Sequence, residues 1–252
     1  MNIWQSLVLG LVQGITEFLP VSSSGHLVIF QNWLDIYPTP LNYDLFLHMI
    51  SVAVIIYYLR KIIIKIDISS LINLVISTVP ILVVGFLIRD QVKNIFESSS
   101  IAGFGLLLTG LLNFIAAKYY QKQNLSNKIT PKDALIIGLS QVVAIIPGVS
   151  RSGSTLFGAS IRKIDKTKAL EFSFLMAILA ILASNIANVF LLDNSLGSSI
   201  TFHWTVYLMG GIVCFITSLA SIKLLKLTLN KTKYHWFGWY CILLGFLTIL
   251  FG

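Results

Sequence analysis

Eight apolar segments alternate with short polar stretches along the chain. They lie near residues 3–19, 45–59, 71–88, 101–117, 134–147, 171–192, 204–222 and 236–251. A helix that crosses a bilayer needs about 20 mostly apolar residues, with a lower limit of about 17. Most of the eight segments approach or exceed this limit, so the pattern predicts an all-α polytopic membrane protein.

The segments at 3–19 and 134–147 differ from the other six. The first contains Gln13, Glu17 and two glycines, and the second is too short to span. Each is followed by a break rich in Ser, at 21–25 and 148–153, and then by another short apolar piece. Irregular backbone at membrane depth occurs where it is buried in protein or faces a watery cavity. The pattern therefore predicts two broken helices that enter the membrane and turn back.

The distribution of the 18 Lys and Arg residues distinguishes two topologies. If all eight segments cross, the two sides carry 7 and 11 of them, which is a weak asymmetry. If the two broken helices are re-entrant, six spans remain; one side carries 15 and the other keeps Arg89 and Lys93. Arg151 then lies inside the second broken helix. Because basic residues concentrate on the cytoplasmic side, we expect six spans, with both termini extracytoplasmic.

Composition narrows the class of protein. Of the 252 residues, 56% are hydrophobic and 11% are charged, whereas soluble domains carry about 25% charged residues. The mean hydropathy is +0.85. These values exclude an ordinary cytosolic enzyme, a disordered chain and a disulfide-rich secreted domain. The net charge of +8 is therefore interpreted as membrane topology and contact with anionic lipids, not as nucleic-acid binding.

The two broken segments resemble each other at a constant offset of 128 residues. When residues 10–25 are placed over 138–153, seven of the 16 positions are identical: Gly10, Leu11, Gln13, Val21, Ser22, Ser24 and Gly25 in the first copy. We expect a single integral membrane domain over 1–252, with repeat 1 at about 1–117, a linker at about 118–131 and repeat 2 at about 132–252. Each repeat has one re-entrant hairpin and three spans, so the second is inverted. Such repeats place a site near the midplane, at their interface.

Glu17 is the only acidic residue deep in an apolar segment. A carboxylate at that depth is costly and by default marks a functional site. The alternative is a neutral, hydrogen-bonded Glu that joins two helices. Gln13 lies four residues earlier, on the same helix face, and either takes part in the site or makes an interhelical hydrogen bond.

The first break contains Ser22, Ser23, Ser24 and His26, directly after Pro20. Hydroxyls and free backbone N–H groups at the start of a helix form an anion site. A histidine can donate or accept a proton near neutral pH. The alternative is a serine-rich kink with a packed histidine.

The second break places Arg151 among hydroxyl side chains, those of Ser150, Ser152, Ser154 and Thr155. The guanidinium group suits bidentate binding of phosphate or carboxylate. An oxyanion ligand is therefore predicted, with a structural Arg151–Glu17 ion pair as the alternative. A carboxylate, a histidine, a cation and hydroxyls together suit phosphoryl transfer on a lipid-borne phosphate.

The remaining histidines are interpreted as non-catalytic. His48 lies in the second apolar segment and is expected to be a core or cavity residue. His203 and His235 stand beside Trp204 and Trp236, which is typical of the membrane interface.

Residues 13–26 (QGITEFLPVSSSGH) and 147–155 (PGVSRSGST) resemble the two motifs of the bacterial undecaprenyl-diphosphate phosphatase family, also called bacitracin-resistance proteins. The span layout agrees along nearly the whole chain. The resemblance implies hydrolysis of undecaprenyl diphosphate to the monophosphate and phosphate, recycling of the cell-wall carrier lipid, and bacitracin resistance. It also implies a polyprenyl diphosphate substrate, a divalent cation (Mg²⁺ or Ca²⁺), and a multi-pass protein of the bacterial plasma membrane with its site facing the extracytoplasmic side.

The resemblance also maps roles onto this sequence. Glu17, Ser23, His26 and Arg151 are expected to be catalytic; Gln13, Ser22, Ser24, Ser150, Ser152 and Thr155 are expected to bind substrate. Glu17 is also the expected metal ligand. Gln13 takes the amide where the family has Glu or Gln, and His48 stands where the family more often has Gln.

Three alternatives stay open at this point. Either Ser23 attacks phosphorus, or it orients an attacking water. A transporter or lipid-phosphate flippase on the same inverted-repeat scaffold is the rival function. Membrane lipids are expected partners, and the oligomeric state, monomer or homodimer, is left open.

Overall fold

The fold is known from a computed structural model that describes residues 1–36, 41–88, 98–121, 125–191, 204–231 and 233–251. These residues form ten α-helices: α1 (Ile3–Thr16), α2 (Ser23–Trp33), α3 (Leu41–Ile63), α4 (Ile68–Leu87), α5 (Ser99–Tyr120), α6 (Pro131–Val142), α7 (Arg151–Ile161), α8 (Lys166–Leu191), α9 (Trp204–Asn230) and α10 (His235–Phe251). Each of the eight apolar segments coincides with a helix, and the short apolar pieces after the two breaks form α2 and α7. The predicted all-α class is confirmed.

Five of these helices are long and apolar enough to cross a membrane: Asn42–Ile63, Ile68–Leu87, Ser99–Tyr120, Lys166–Ala187 and Trp204–Asn230. They make the chain an integral membrane protein. α10, the sixth predicted span, is apolar but has 17 residues, so its crossing stays a prediction. Arg89, Lys93 and His203, which were used to predict topology and an interfacial position, lie outside the described residues.

The outer helices turn apolar side chains outward, where a soluble protein would place polar ones. Only 22% of the most apolar stretch of α4 is buried. Leu71, Val75 and Val79, spaced one helical turn apart, form an exposed stripe on this helix. In α5, by contrast, 56% of the corresponding apolar stretch is buried. Exposed apolar faces of this kind suit contact with lipid tails, so α4 is peripheral and α5 is central.

Small residues bring specific helices into close contact. α1 packs along α9, α6 packs along α4, and α5 packs along α10. A Cβ atom added at Gly10 of α1 would clash with the carbonyl of Gly210 on α9, and one at Gly138 of α6 would clash with the carbonyl of Ser77 on α4. Gly10 and Gly138 are equivalent positions of the repeated motif, and each lets two backbones approach closely.

Both broken helices restart at equivalent serines. Ser22 caps α2 by accepting a hydrogen bond from the Gly25 N–H at 3.3 Å, and Ser150 caps α7 by accepting one from the Gly153 N–H at 3.1 Å. Serine is a favoured N-cap because its oxygen satisfies a helix N–H that has no partner within the helix. Ser22 has a φ of 69°, a left-handed conformation that is unfavourable for a residue with a Cβ atom. The first break is therefore held in a strained turn.

Two polar residues of α5 tie both breaks to the centre of the fold. Thr109 donates to the Gly148 carbonyl at 2.8 Å and accepts from the Ser150 N–H at 2.9 Å. One turn later, Asn113 donates to the Pro20 carbonyl at 2.6 Å. Because backbone groups at membrane depth need such partners, α5 fixes the two breaks beside each other.

Candidate active site

The carboxylate of Glu17 lies at the centre of a buried polar cluster. Its Oε2 atom accepts hydrogen bonds from Ser23 Oγ at 2.6 Å and from Gln13 Nε2 at 3.1 Å. Its Oε1 atom accepts a hydrogen bond from Arg151 Nη2, which makes this contact an ion pair. The Glu17 side chain is only 4% exposed. Three residues that the sequence analysis singled out thus meet around the carboxylate of a fourth, Glu17.

The backbone of both breaks positions these side chains. Glu17 ends α1, where its N–H donates to the Gln13 carbonyl at 2.9 Å. Ser23 is the first residue of α2 and Arg151 is the first residue of α7. The N-termini of two helices therefore converge on the cluster, and each contributes partial positive charge. Such a place favours an anion, and a phosphate fits this preference.

Two buried polar atoms of the cluster have hydrogen-bonding capacity left over. Arg151 Nη1 and Gln13 Oε1 have no hydrogen-bond partner among the described residues. A buried donor without a partner is costly, and guanidinium N–H groups make strong, charge-assisted hydrogen bonds to phosphate oxygens. Arg151 can therefore hold Glu17 with one nitrogen and a phosphate oxygen with the other.

The other hydroxyls predicted to bind substrate make contacts within the breaks. Ser22 pairs with Ser24 at 3.2 Å, and Ser150 pairs with Ser152 at 3.1 Å. Ser152 also donates to the Leu19 carbonyl at 3.0 Å, which joins the two breaks directly. Thr155 is bonded to Ser173 of α8 at 2.6 Å and to its own helix. These contacts support the shape of the site, while the predicted substrate contacts stay predictions.

His26 has partners on both ring nitrogens. Nδ1 lies 2.7 Å from the Ser22 carbonyl and therefore donates, because a carbonyl only accepts. Nε2 lies 2.7 Å from the Tyr240 hydroxyl, and the two rings stack with centroids 5.6 Å apart. The structure thus places His26 beside the turn that precedes Ser23. The proton-transfer role assigned to it from the sequence stays a prediction.

Three residues that the sequence analysis did not assign to the site contribute to this region. His48 of α3 approaches Glu17, with Nε2 3.6 Å from Oε2. Thr109 and Asn113 support the breaks, as described above. All three are polar residues within apolar runs, and Thr109 and Asn113 have a spacing of one helical turn. That spacing is a usable signal, because polar side chains inside membrane helices need partners.

The donor set does not fit a divalent cation held by protein ligands alone. Mg²⁺ and Ca²⁺ prefer several oxygen ligands, carboxylates above all. No group of three or more His, Cys, Asp or Glu residues suited to a metal occurs in the described part of the chain. Both oxygens of Glu17 are already engaged by Arg151, Ser23 and Gln13. No step of the chemistry is therefore assigned to a protein-bound metal.

A buried carboxylate, an arginine and a serine at the junction of two broken helices place this chain among membrane proteins with an anion-binding site inside the helix bundle. The sequence profile of the family described as bacitracin resistance protein BacA matches residues 6–247. This chain therefore belongs to the BacA family, as its two motifs predicted.

Relatives agree over their full length. The chain is 40% identical to a protein of Thermosipho africanus, with 98% of this chain and 99% of the relative covered. It is 34% identical to a protein of Methanococcus vannielii with the same coverage, and 34% identical to one of Halothermothrix orenii, with 99% and 98% covered. All three relatives are named undecaprenyl-diphosphatase.

Proposed function

We infer that this chain is an undecaprenyl-diphosphate phosphatase, which hydrolyses undecaprenyl diphosphate to undecaprenyl phosphate and inorganic phosphate. Membership of the BacA family and the names of full-length relatives support this activity and its association with bacitracin resistance. One structural observation supports it most directly: Ser23 Oγ donates to Glu17 Oε2 at 2.6 Å, while Arg151 binds the other oxygen. A hydroxyl, a base and a cation are the groups that phosphate transfer requires.

The proposed reaction begins when Glu17 takes the proton of the Ser23 hydroxyl. The Ser23 oxygen then bonds to the terminal phosphorus, and the bond from that phosphorus to the bridging oxygen breaks. Undecaprenyl phosphate leaves with the bridging oxygen, which takes the proton from Glu17. Water then attacks the phosphoserine, and Glu17 passes a proton of that water to the departing serine oxygen, so that free phosphate and the serine hydroxyl are formed. Arg151 balances the charge that develops on the phosphate oxygens. In the open alternative, Glu17 and Ser23 hold a water that attacks phosphorus directly.

The proposed scaffold is an inverted repeat with six spans and two re-entrant hairpins. Its support is the pairing of helices between the two halves. α1 of the first repeat packs on α9 of the second, the equivalent α6 of the second packs on α4 of the first, and α5 pairs with its equivalent α10. The repeats at about 1–117 and 132–252 and the linker between them are part of this proposal. Extracytoplasmic termini, the bacterial plasma membrane and a site open to the extracytoplasmic side rest on the charge distribution and the family.

The expected Mg²⁺ or Ca²⁺ is proposed to arrive bound to the diphosphate. This proposal follows from the donor set, in which Glu17 is the carboxylate bonded to Arg151, Ser23 and Gln13 and no group of three or more His, Cys, Asp or Glu residues suits a metal among the described residues. Removal of divalent cations by a chelator is then expected to raise the KM for the lipid. The melting temperature of the substrate-free protein should stay unchanged. A fall in melting temperature on chelation would indicate a protein-held ion instead.

The first experiment is phosphate release from undecaprenyl diphosphate by protein purified in detergent, alongside Arg151→Ala and Glu17→Gln. Turnover by the wild type that both substitutions abolish supports the phosphatase. The rival function, lipid-phosphate transport, is separated from hydrolysis because a detergent micelle has no second compartment. Absence of release across detergents, pH values and added cations would contradict the phosphatase.

A further inference from the structure

His48 is anchored in one orientation within α3. Its Nδ1 atom lies 2.7 Å from the carbonyl of Asp44, one helical turn earlier. Because a carbonyl oxygen only accepts, Nδ1 carries the hydrogen of this bond. The ring is therefore fixed, and the opposite nitrogen, Nε2, is directed away from its own helix.

The Nε2 atom of His48 faces the reacting side of the cluster. It lies 3.6 Å from Glu17 Oε2, the same oxygen that accepts the hydrogen bond from Ser23. This separation exceeds the normal hydrogen-bond range of about 2.7–3.2 Å. Among the described residues, no hydrogen bond engages Nε2, whereas both nitrogens of His26 have partners. The hydrogen-bonding capacity of His48 is therefore directed at the cluster and left for another atom.

Exposure distinguishes His48 from its neighbours in the cluster. Its side chain is 25% exposed, compared with 16% for Arg151 and 4% for Glu17. His48 thus lies on the accessible side of the carboxylate. A substrate phosphate that reaches Arg151 and Ser23 comes within the neighbourhood of Nε2.

The other polar groups around α3 have partners of their own, and Ser51 of α3 accepts a hydrogen bond from Gln13 Nε2 of the cluster at 3.4 Å. The Asp44 carboxylate accepts two hydrogen bonds from Gln31, both 2.9 Å long. Cys214 of α9 lies 3.8 Å from the Leu47 carbonyl. On α8, Lys168 pairs with Glu171 at 3.0 Å. In the described part of the chain, the carboxylate within 4 Å of a His48 ring nitrogen is that of Glu17, at 3.6 Å.

We propose that His48 is a further catalytic residue, which in its doubly protonated form donates a hydrogen bond from Nε2 to an oxygen of the phosphate group that is transferred. This inference rests on the proposed phosphatase activity. Glu17 takes the proton of Ser23, Arg151 neutralises one side of the phosphate, and His48 holds it from the accessible side. Ser23, Arg151 and His48 then surround one phosphate and restrict its orientation for attack. Such positioning is a large part of catalysis in phosphoryl transfer.

The test compares two substitutions of similar size. His48→Gln keeps a polar nitrogen near the position of Nε2, and His48→Leu keeps the bulk but removes the polar atom. We expect His48→Leu to lower kcat by about 100-fold, the magnitude typical of losing one transition-state hydrogen bond. His48→Gln should keep kcat within about fivefold of the wild type, since the amide can replace a single hydrogen bond. His235→Leu, a histidine outside the site, serves as the control and should leave kcat unchanged.

Packing alone predicts a different pattern. If His48 only fills space, His48→Leu and His48→Gln will have equal kcat values, and the proposal is overturned. A change confined to KM would likewise contradict a role in the transfer step. Melting temperatures of the three variants in detergent show whether each is folded. If the wild type releases no phosphate, the proposed function fails; if the wild type is active and the Leu variant is equally active, only the His48 proposal fails.

Discussion

The guanidinium of Arg151 and the carboxylate of Glu17 form an ion pair that joins two broken helices 134 positions apart in the sequence. The pair lies in a cluster in which Glu17 is 4% exposed and Arg151 is 16% exposed. A charge buried at this depth is stable only with a partner. The pair is therefore a structural link between the two breaks as well as the centre of the candidate active site. Both interpretations considered from the sequence, an ion pair and an oxyanion site, describe the same residues.

Removing one partner of this pair should affect folding and activity together. Arg151→Ala leaves the Glu17 carboxylate buried without its cation, which costs about 3–5 kcal/mol of stability. We expect a lower melting temperature in detergent and a loss of kcat/KM of at least about 100-fold. The double variant Glu17→Gln/Arg151→Gln has no unpaired charge, so it should recover part of the melting temperature without recovering activity. Equal melting temperatures for Arg151→Ala and the wild type would show that the pair does not stabilise the fold.

Ser23→Ala should separate chemistry from stability. The substitution removes the hydroxyl that donates to Glu17 at 2.6 Å, but Ser23 is not the N-cap of α2 and its loss leaves the Ser22 cap in place. We expect kcat to fall by at least about 100-fold, with a change in stability of about 1 kcal/mol. Ser160→Ala is the matched control, because Ser160 is a buried serine that donates only to the Phe157 carbonyl of its own helix. Activity in Ser23→Ala close to that of the control would contradict the proposed role.

The intermediate can also be sought directly. Rapid quenching of the wild type during turnover, followed by detection of phosphate on residue 23, distinguishes attack by Ser23 from attack by water. A phosphoserine that forms and decays at the rate of turnover identifies Ser23 as the nucleophile. Its absence in a protein with normal turnover supports the water route.

Close helix packing at Gly10 should not tolerate a methyl group. A Cβ atom there would clash with the Gly210 carbonyl, so Gly10→Ala forces α1 and α9 apart. We expect a loss of about 1–3 kcal/mol, as in other overpacked interiors. Gly85→Ala is the matched control, because a Cβ at Gly85 meets nothing within 4 Å and lies within α4. Thermal unfolding in detergent should show Gly10→Ala below the wild type and Gly85→Ala at or above it; the reverse order would contradict the packing described here.

Asp133, near the N-terminus of α6, should make the stability of the protein depend on pH in the acidic range. Burial raises the pKa of Asp133, but hydrogen bonds from Thr130 and the nearby Arg162 guanidinium outweigh it, so the pKa lies below its ordinary value. An unfolded Asp has a pKa of about 3.9. The stabilisation is therefore complete above that value and is lost as the pH falls through the lower pKa of the folded state. The difference in melting temperature between the wild type and Asp133→Asn should be constant near neutral pH and should shrink below about pH 4. A difference that is independent of pH would contradict this assignment.

Much of the fold follows from local pattern alone. The apolar segments became helices because a backbone in lipid must satisfy its hydrogen bonds internally, and the breaks after Glu17 and before Arg151 were visible as serine-rich interruptions. Glu17 and Arg151 stood out because a charge in an apolar run is costly. The two motifs, at 13–26 and 147–155, are long enough to identify the family by themselves.

What sequence could not supply is the spatial relation between distant polar residues. His26 and His48 are the same residue type in similar apolar surroundings, and no local pattern distinguishes the one that bonds Tyr240 from the one that faces Glu17. Likewise, the predicted contacts of the second-break hydroxyls with a ligand stay predictions, and only the structure shows that Ser150 caps α7 and Ser152 bonds the first break.

The sequence by itself determined the membrane class, the helices, the two breaks and the residues Glu17 and Arg151, because hydrophobicity and the cost of buried charge act locally along the chain. Only the tertiary structure decided which hydrogen-bonding atoms meet. That outcome depends on how α3, α5 and α7 are placed around the two breaks, and a side chain finds its partner only when those helices are in place.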